Sequence, residues 1–465
     1  MSTLTDRIRG VLQAPGLKTS DLPPSRRNGP GAFPSDVERV QGSHGEEGSL
    51  ERVLGGEWRQ HDGAGCFVVE TRQDPSTRHG DELLGTLADR LEQAAGEGFL
   101  LTGSPVPRPL VFFDLETTGL SGGAGTCAFL IGFGWFDEGG AFFTRQYFLV
   151  RFSDEPRMLA LAAQEMARAG ALVSFNGKSF DAPVLETRFL YHRLEWVGAG
   201  LPHVDMLHVA RRFWRREGVV ADSRSSADAG CSLRALEQQV LRARREGDVP
   251  GSEIPSRYFH FVRTGHAHPL KVVFEHNRLD LLSLAALTTR ALHLVRTGPE
   301  QAADPREALA LGHVYSRAGF EGRARVGYKH AIDLCAPQKT STADFASSAI
   351  RVEALRALAV TSRRARGYDE AAGYWRQILD VDGCPRHLAR EASEALAIHY
   401  EHRMRDLKTA RTFALRSLGD GARTAWNEAV GHRLTRLDRK IGRLKFELEG
   451  STLACGGASG SRRDT

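Results

Sequence analysis

The amino-acid sequence predicts an α/β domain with a mixed sheet, followed by an all-α domain of helical repeats. Three apolar runs of strand length occupy 110–115, 126–136 and 141–150, and helical and strand-like segments follow them. Beyond Gly298 the apolar periodicity is helical throughout. A chain of 465 residues is long enough for two or three domains, so each pattern can form its own core.

The first 104 residues precede the α/β pattern. Residues 1–47 are rich in Pro, Gly, Ser and charged residues and poor in large apolar ones. They cannot bury enough surface to offset chain entropy, so we expect them to be disordered. Residues 48–104 contain an apolar run at 66–70 and an amphipathic helical pattern at 82–95. We expect this segment to be an N-terminal elaboration that packs on the next domain.

Residues 105–297 hold the α/β pattern itself. The turn Asp137-Glu138-Gly139-Gly140 separates the second and third apolar runs and predicts a β-hairpin. Strands that come first and then alternate with helices indicate a mixed sheet with flanking helices. We predict a buried strand over 171–175 and helices over 155–169, 181–194, 203–217, 231–245 and 270–295.

Helical repeats are predicted over 305–440. The segments 308–332, 354–379 and 395–418 each contain a first helix, a turn with Gly or Arg, and a second helix with Ala and aromatic residues. They resemble tetratricopeptide-type helix pairs, which commonly bind a protein partner. A packed helical extension without a partner is the alternative. Residues 450–465 are small and polar, and we expect a disordered tail.

The composition is that of a soluble globular protein, with 41% hydrophobic and 26% charged residues. No apolar run reaches the roughly 18 residues of a membrane-spanning helix, and the N-terminus lacks the apolar core of a secretory signal. We therefore expect no membrane partner and a cytoplasmic location. The six cysteines form no Cys-x-x-Cys pair, which argues against a zinc ribbon and favours free thiols.

Asp114 and Glu116 end the first apolar run. Residues two apart on a strand point to the same face, so both carboxylates would lie together at the end of a buried strand. Two like charges in that place are costly unless a divalent cation neutralises them. Solvated residues at the start of a loop are the alternative. The apolar strand before them and the small-residue loop after them favour the cation site.

Two further positions offer carboxylates. Asp181 opens the helix that follows the strand at 171–175, where a carboxylate also suits a helix N-terminus without any catalytic role. His276 and Asp280 are four residues apart and share one helical face, a spacing that is usually a surface contact. Each feature is ordinary alone. Their order after Asp114 and Glu116, on strand, helix and helix, makes them a candidate catalytic set.

This arrangement resembles the DEDD superfamily of 3′–5′ exonucleases with a ribonuclease H-like fold. Asp114-Leu115-Glu116-Thr117 is similar to its first motif, and Asn176 to Asp181 to its second. Several longer stretches resemble the bacterial YprB-like branch, to which the repeat tail also corresponds. These stretches are FNGKSFDAP (175–183), HVDMLHVARRFW (203–214), CSLRALEQ (231–238) and VFEHNRLDLLSL (273–284).

The third motif departs from the superfamily pattern. That pattern has Tyr four residues, or His five residues, before the last Asp. Here His276 is four residues before Asp280, and Glu275 is five before it. Imidazole titrates near neutral pH, so His276 can act as the base or orient the attacking water. It can equally hold a phosphate oxygen.

The resemblance implies a two-metal mechanism for hydrolysis of DNA or RNA. Asp114, Glu116, Asp181 and Asp280 would hold two Mg²⁺ or Mn²⁺ ions about 3.5–4 Å apart. One ion would acidify the attacking water and the other would stabilise the leaving 3′ oxygen. We expect a single-stranded DNA or RNA end to be the substrate. The residues expected to contact it are Thr117, Thr118, Gly119, Asn176 and Lys178.

Supporting positions remain open from sequence alone. Asp205 would either support the metal site from outside the ligand set or cap a helix N-terminus. Phe213 and Trp214 lie in an arginine-rich stretch at 211–216, which could stack bases and bind phosphates. We interpret the two aromatic residues as core and leave the arginines open.

Two other functions remain as alternatives. An endonuclease or a junction-cleaving enzyme can use the same fold and the same metals. A scaffold could bind nucleic acid without cutting it and recruit partners through its repeats. Clustered negative charge gives a binding module no advantage near phosphates, so the scaffold is disfavoured. No motif distinguishes DNA from RNA, because a contact to the 2′-hydroxyl leaves no sequence pattern.

Overall fold

A computed structural model describes residues 50–61, 64–119, 125–215, 230–335, 343–418 and 425–456. These residues fall into two compact units. Unit 1 is drawn from Met1–Gly96, Pro105–His208 and Leu233–Thr289, and unit 2 from Glu97–Ser104, Val209–Ser232 and Arg290–Thr465. Each unit therefore combines separate stretches of the chain. The segment 1–47, for which we predict disorder, lies outside the described residues.

The strands of the described residues are β1 Glu57–His61, β2 Ala64–Gln73, β3 Arg78–His79, β4 Glu82–Leu83, β5 Leu110–Thr117, β6 Ala128–Phe136, β7 Phe142–Phe148, β8 Ala171–Ser174 and β9 His203–Asp205. Within these residues, β3 and β4 pair with each other and the remaining strands form one sheet in the order β1-β2-β7-β6-β5-β8-β9. β8 lies parallel to β5 and to β9, and all other pairs are antiparallel. The predicted mixed sheet is confirmed.

The helices of the described residues are α1 Leu84–Ala94, α2 Gly98–Thr102, α3 Glu155–Ala167, α4 Asp181–Tyr191, α5 Met206–Phe213, α6 Leu233–Leu236, α7 Ile254–Thr264, α8 Lys271–Thr297, α9 Pro305–Arg317, α10 Glu321–Leu334, α11 Ala343–Arg364, α12 Tyr368–Leu379, α13 Arg386–His399, α14 Leu407–Arg416 and α15 Ala425–Gly456. A further helical turn covers 50–54. Wide π-helical turns cover Glu237–Leu241 and Tyr400–Met404.

Strands β1 and β2 come from the segment 48–104, which the sequence predicts only as an elaboration. β2 pairs with β7 over Phe67–Gln73, so this segment extends the main sheet. The apolar run at 66–70 accounts for the pairing, because Phe67 and Val68 are fully buried. An apolar run of strand length can add to a sheet edge as readily as it can pack on a face.

Two predicted helices differ from the structure. The segment predicted as helical over 203–217 begins as strand β9, which pairs with β8, and its helix ends at Phe213. Residues 231–245 form only a short helix and a π-helical turn, which Arg242 ends with a left-handed φ of 55°. Helical periodicity does not predict that 203–205 will pair with a neighbouring strand. It also does not predict that Arg242 will adopt a left-handed φ and end the helical segment.

Helix α8 approaches strand β6 closely because two glycines face it. A Cβ on Gly132 would lie 2.1 Å from Oδ1 of Asn277, and a Cβ on Gly134 would lie 3.5 Å from the Cβ of Leu281. Glycine within a strand commonly marks such a close approach. The Gly132-x-Gly134 pattern therefore sets the distance between the sheet and the helix that carries His276 and Asp280.

Unit 2 contains consecutive helices packed in pairs, α9 with α10, α11 with α12, and α13 with α14. Helix α2 packs on α9 within this unit, and Trp214 donates a hydrogen bond from Nε1 to Glu307 at 2.8 Å. Phe213 and Trp214 are buried, which confirms the interpretation of both as core residues. The helical region predicted after Gly298 is also confirmed.

Helix α15 continues to Gly456, into the segment 450–465 that we expect to be a disordered tail. Residues 457–465 lie outside the described residues. The cysteines at 66, 127, 231, 335 and 384 are free thiols, as the sequence predicts. Among the described residues, no helix combines the length and the apolar character needed to cross a membrane.

Candidate active site

Strand β5 carries Asp114 and Glu116 at the edge of a cleft in unit 1. Asp114 lies opposite Gly132 of β6, and the pairing shifts register between Glu116 and Thr117. Beyond this point Thr117 donates a hydrogen bond from Oγ1 to the carbonyl of Gly119 at 2.9 Å. The strand therefore ends in a turn directly after the two carboxylates, which leaves them facing the cleft.

Asp181 reaches the same cleft at the first turn of α4, as the sequence predicts. Between β8 and α4 the chain turns tightly, with Asn176 in the left-handed region at a φ of 66°. A Cβ on Gly177 would lie 2.3 Å from Oγ of Ser174 and 3.0 Å from Oδ2 of Asp181. A side chain there would collide with the turn, so Gly177 is required for the position of Asp181.

Asp205 fixes this turn from the end of the neighbouring strand β9. Its carboxylate accepts hydrogen bonds from the backbone N–H groups of Asn176 at 2.8 Å, Lys178 at 3.2 Å and Leu207 at 3.0 Å. The bond to Leu207 caps the start of α5, and the other two hold the loop before Asp181. The helix cap that the sequence allows is therefore present, and Asp205 also holds the loop that leads to Asp181, whereas its support of a metal site stays a prediction.

Helix α8 brings Asp280, His276 and Asn277 to the carboxylates of β5. Asn277 is fully buried and donates a hydrogen bond from Nδ2 to Oδ2 of Asp114 at 2.8 Å. Gln146 of β7 donates from Nε2 to Oδ1 of Asn277 at 2.9 Å and to the carbonyl of Phe274 at 2.8 Å. A chain of hydrogen bonds thus runs from β7 through α8 to the first carboxylate.

A second set of polar contacts holds Asp280 and His276. Arg245, with 5% of its side chain exposed, binds the carboxylates of Asp280 and Glu237. His276 contacts Oδ1 of Asp248 through Nδ1 at 2.6 Å, and its Nε2 lies 3.5 Å from Oδ2 of Asp280. The predicted proximity of His276 and Asp280 is therefore present, and Asp280 also has a cationic partner that the sequence does not predict.

The cleft brings together most of the predicted site residues. Thr118, Gly119, Lys178 and Asp205 do not line it. Thr118 instead pairs with Cys127, accepting its N–H at Oγ1 at 3.0 Å, and the side chain of Lys178 is exposed. A Cβ on Gly119 would lie 3.9 Å from Oγ1 of Thr126, an ordinary van der Waals distance. The cleft is lined by Asp114, Leu115, Glu116, Thr117, Phe175, Asn176, Phe180, Asp181, Gly251, Ile254, Pro255, His276 and Asp280.

The carboxylates disfavour each other's charged form. Burial, and after it the charges of Asp280, Glu116 and Asp181, raise the pKa of Asp114 well above its usual value. Burial and the charges of Asp280 and Asp181 act in the same direction on the pKa of Glu116. Burial, with the charges of Asp205 and Asp280, raises the pKa of Asp181 to about 7. Such a cluster attracts a cation or protons.

The donor set fits a hard divalent cation by its chemistry. It offers only oxygen atoms, and a bound cation would favour the ionised form that burial and mutual repulsion now disfavour. Within the described ranges, however, no three His, Cys, Asp or Glu side chains are already arranged to hold an ion. Asn277 holds Asp114 and Arg245 holds Asp280 in separate interactions. A cation at Asp280 would therefore compete with Arg245.

Sequence reasoning did not identify Gln146, Asn277, Arg245 and Asp248. The Gly132-x-Gly134 pattern inside an apolar strand could have indicated a close approach, and a buried polar residue such as Gln146 in that sheet could have indicated a hydrogen-bond network. Arg245 and Asp248 lie in a charged loop segment that resembles many solvated loops. No local pattern marks them.

Comparison with known proteins finds similarity over the part of the chain that contains this cleft. Residues 111–292 match the family described as the RNase_H superfamily. A Bacillus subtilis (strain 168) protein named "Uncharacterized protein YprB" is 28% identical over 386 residues, which cover 81% of this chain and 86% of that relative. The matched segment contains strands β6 to β9, all but the first residue of β5, and each of the four carboxylates. The match and the mixed sheet together support a ribonuclease H-like fold for residues 111–292.

Proposed function

We propose that this protein is a metal-dependent nuclease that hydrolyses phosphodiester bonds of DNA or RNA, acting as a 3′–5′ exonuclease. One observation carries the proposal. Four carboxylates from a strand and two helices, Asp114, Glu116, Asp181 and Asp280, act electrostatically on one another around one cleft and make its charge strongly unfavourable. A fold gains no stability from such an arrangement, whereas a site for cationic cofactors requires it.

The four carboxylates would hold two Mg²⁺ or Mn²⁺ ions. When bound, such ions make a water molecule more acidic and stabilise a leaving oxygen. Asn277 keeps Asp114 in place through its hydrogen bond, and Gln146 keeps Asn277 in place. These two contacts hold Asp114 in place before any ion arrives.

His276 would accept the proton of the attacking water. Its side chain is partly exposed in the cleft, and Nε2 lies on the side of Asp280. The apolar side chains of Phe175, Phe180 and Ile254 line the same cleft, so a nucleotide could place its sugar or base against them and its phosphate at the carboxylates. A strand end of DNA or RNA fits both surfaces.

Hydrolysis of end-labelled substrates tests the proposal. Single-stranded DNA and RNA labelled at the 3′ or the 5′ end would be incubated with Mg²⁺, Mn²⁺ or EDTA, beside the Asp114→Asn variant. We expect metal-dependent, stepwise shortening from the 3′ end, and no cleavage by the variant. Internal cuts would assign an endonuclease instead. Binding without cleavage, or full activity of an Asp114→Asn/Asp280→Asn variant, would refute the proposal.

The helix pairs of unit 2 would bind a protein partner. Phe320 and Met404, at or beside the turns between paired helices, expose 45% and 56% of their surface. Exposed apolar side chains at such turns are available to a partner. Crosslinking of the full-length protein in cells should yield a discrete adduct that a Phe320→Glu/Met404→Glu variant loses. An identical adduct pattern for both proteins would exclude this surface.

A further inference from the structure

We propose that Asp248 is a positioning residue, which orients the imidazole of His276 so that Nε2 faces the cleft. The inference rests on the proposed nuclease function, because it gives His276 the orientation that proton acceptance requires. Asp248 lies outside every stretch that carries the family resemblance. It acts through His276 and does not line the cleft itself.

The contact between the two residues is close and sheltered. Oδ1 of Asp248 lies 2.6 Å from Nδ1 of His276, and only 3% of the Asp248 side chain is exposed. An ionised carboxylate has no hydrogen to donate, so the shared hydrogen must be on Nδ1. Nε2 is then the ring nitrogen with the free lone pair. At 3.5 Å from Asp280 it is beyond a good hydrogen bond, which leaves it available to a water molecule.

Asp248 is itself held through Oδ1, whereas its buried Oδ2 accepts no hydrogen bond from the described residues. Oδ1 also accepts the backbone N–H of Val249 at 2.9 Å, and Oδ2 lies 3.6 Å from Arg245 and 3.8 Å from Arg234. Although burial opposes it, the hydrogen bond from His276 and the charges of His276 and Arg245 hold the pKa of Asp248 below its usual value. The carboxylate is therefore an ionised acceptor whose Oδ1 is directed at the imidazole by the Val249 N–H.

The loop that contains Arg245 and Asp248 thereby positions both Asp280 and His276 in the cleft. Arg245 holds Asp280, and Asp248, three residues later, holds His276 one helical turn before Asp280. Such outer contacts commonly fix the tautomer and ring orientation of a functional histidine. The left-handed Arg242 ends the preceding π-helical turn and directs the chain into this loop.

The proton balance of the proposed step is simple. The water oxygen forms a bond to phosphorus while the bond from phosphorus to the leaving oxygen breaks. The proton that the water loses goes to Nε2 of His276, and the leaving oxygen takes a proton from bulk water. The imidazolium that results lies between the carboxylates of Asp248 and Asp280, and it returns its proton to solvent.

Two substitutions separate orientation from packing. Asp248→Leu keeps a branched side chain, although a larger one, and removes the acceptor. Asp248→Asn removes the charge but retains an oxygen, which the Val249 N–H keeps directed at Nδ1. We expect the Leu variant to lower kcat by roughly 10²–10⁴-fold with an unchanged KM, as the loss of an oriented base does. The Asn variant should recover much of that loss.

The direct readout is the tautomer of His276 in the metal-free, full-length protein. Nitrogen-15 NMR of histidine-labelled protein, assigned with a His276→Gln variant, should show the proton on Nδ1 in the wild type and in Asp248→Asn. In Asp248→Leu it should move largely to Nε2. Asp369→Leu is the matched control, because Asp369 is 91% exposed and lies 3.7 Å from His399 in unit 2. It should change neither kcat nor the signals of His276.

Three results would overturn the inference. A wild-type His276 with its proton on Nε2 would exclude the proposed orientation. A Leu variant with kcat within about threefold of the wild type would exclude a role in the reaction. An Asn variant as impaired as the Leu variant would assign the effect to charge. A wild type that cleaves no substrate would reject the proposed function instead, and the NMR signals would still decide whether Asp248 orients His276.

Discussion

Asp114 accepts a hydrogen bond from Asn277 although it lies within the electrostatic reach of three other carboxylates. Its raised pKa means that ionisation costs stability as the pH rises above about 4, the ordinary pKa of the side chain. The cost is absent below that pH, where the group is protonated in both the folded and the unfolded state. At the residue scale, the centre is therefore unstable in its charged form until a cation is supplied.

Replacement of Asp114 by Asn should leave the metal-free protein at least as stable as the wild type at pH 8. Asn has similar shape and no charge, so it removes the repulsion. Mn²⁺ at 100 times its Kd should stabilise the wild type by about 2.7 kcal/mol, and the variant should lose most of this gain. Thermal unfolding with and without Mn²⁺ measures both effects.

Asp89→Asn is the control for this measurement, because Asp89 is exposed on α1 and should leave the Mn²⁺ effect unchanged. An Asp114→Asn variant that keeps the full Mn²⁺ stabilisation would show that the ion binds elsewhere in the chain. A variant that unfolds without metal would show that Asp114 stabilises the fold.

Several site residues could be predicted at this scale and others could not. Asp114 and Glu116 could, since residues two apart on a strand share a face. Arg245 could not, because its partners Asp280 and Glu237 meet it only after the chain has folded. Spacing along the strand predicts the carboxylates of Asp114 and Glu116. The residues that hold such carboxylates in place make their contacts across long stretches of sequence, so spacing does not predict them.

At the scale of single elements, the approach of α8 to β6 should be sensitive to one methyl group. A Cβ on Gly132 would lie 2.1 Å from Asn277, which is buried and hydrogen-bonded to both sides. Gly132→Ala should therefore destabilise unit 1 by about 1–3 kcal/mol and displace Asn277 from Asp114. Urea unfolding and a loss of nuclease activity would report the two consequences.

Gly373→Ala provides the matched comparison. Gly373 lies inside helix α12 with open space where a Cβ would be placed, so Ala should stabilise that helix by up to about 1 kcal/mol. If Gly132→Ala were as harmless as Gly373→Ala, the distance between β6 and α8 would not be what positions the carboxylates.

The π-helical turn at Tyr400–Met404 contains a buried carboxylate in unit 2. Although burial opposes it, hydrogen bonds from Arg436 and Lys440 lower the pKa of Glu401 to about 2. A lowered pKa gives stability that is complete above the ordinary pKa of Glu and is lost as the pH falls towards 2. Glu401→Gln should cost on the order of 2 kcal/mol at pH 7, allowing for solvent screening of Arg436, and less at pH 3.

Urea unfolding at pH 7, 4 and 3 checks this expectation. Asp438→Asn on α15, the helix that carries Arg436 and Lys440, is the control, because its pair with Arg411 is exposed and should contribute less than about 0.5 kcal/mol. An equal loss for Glu401→Gln at pH 7 and at pH 3 would exclude an ionic contribution.

The elements show where sequence periodicity stops being informative. Long helices such as α8 and α3 were predictable, since their apolar faces repeat over several turns. The short strand β9 was not, because His203 to Asp205 offers too few residues for an alternating pattern and lies next to a true helix. Pairing with β8 decides its conformation.

At the scale of the whole molecule, unit 2 includes two stretches, Glu97–Ser104 and Val209–Ser232, that precede its main segment by many residues in the sequence. Leu101 of α2, Phe213 and Trp214 are buried, and Trp214 binds Glu307, which Arg290 also contacts. A chain reduced to 290–465 would lack Leu101, Phe213 and Trp214, and Glu307 would lose its hydrogen bond from the indole of Trp214. Loss of a buried Trp alone commonly costs about 3–5 kcal/mol.

Such a fragment should therefore unfold at a lower temperature than unit 2 does in the full chain. Hydrogen exchange of the α9 amides in the fragment and in the whole protein measures the difference directly. Equal protection of α9 in both would show that residues 97–104 and 209–232 contribute nothing to this unit. The sequence predicts a continuous domain over 305–440 and omits these two stretches. Contacts between distant parts of the chain leave no periodic pattern from which the stretches could be predicted.

The hydrogen bond between Asn277 and Asp114 joins residues 163 positions apart. During synthesis, a chain that has been made through β9 already carries Asp114, Glu116 and Asp181. It lacks both Asp280 and the amide that fixes Asp114. The four-carboxylate cleft can be completed only after α8 has emerged from the ribosome, so the proposed hydrolysis could not begin on the nascent chain.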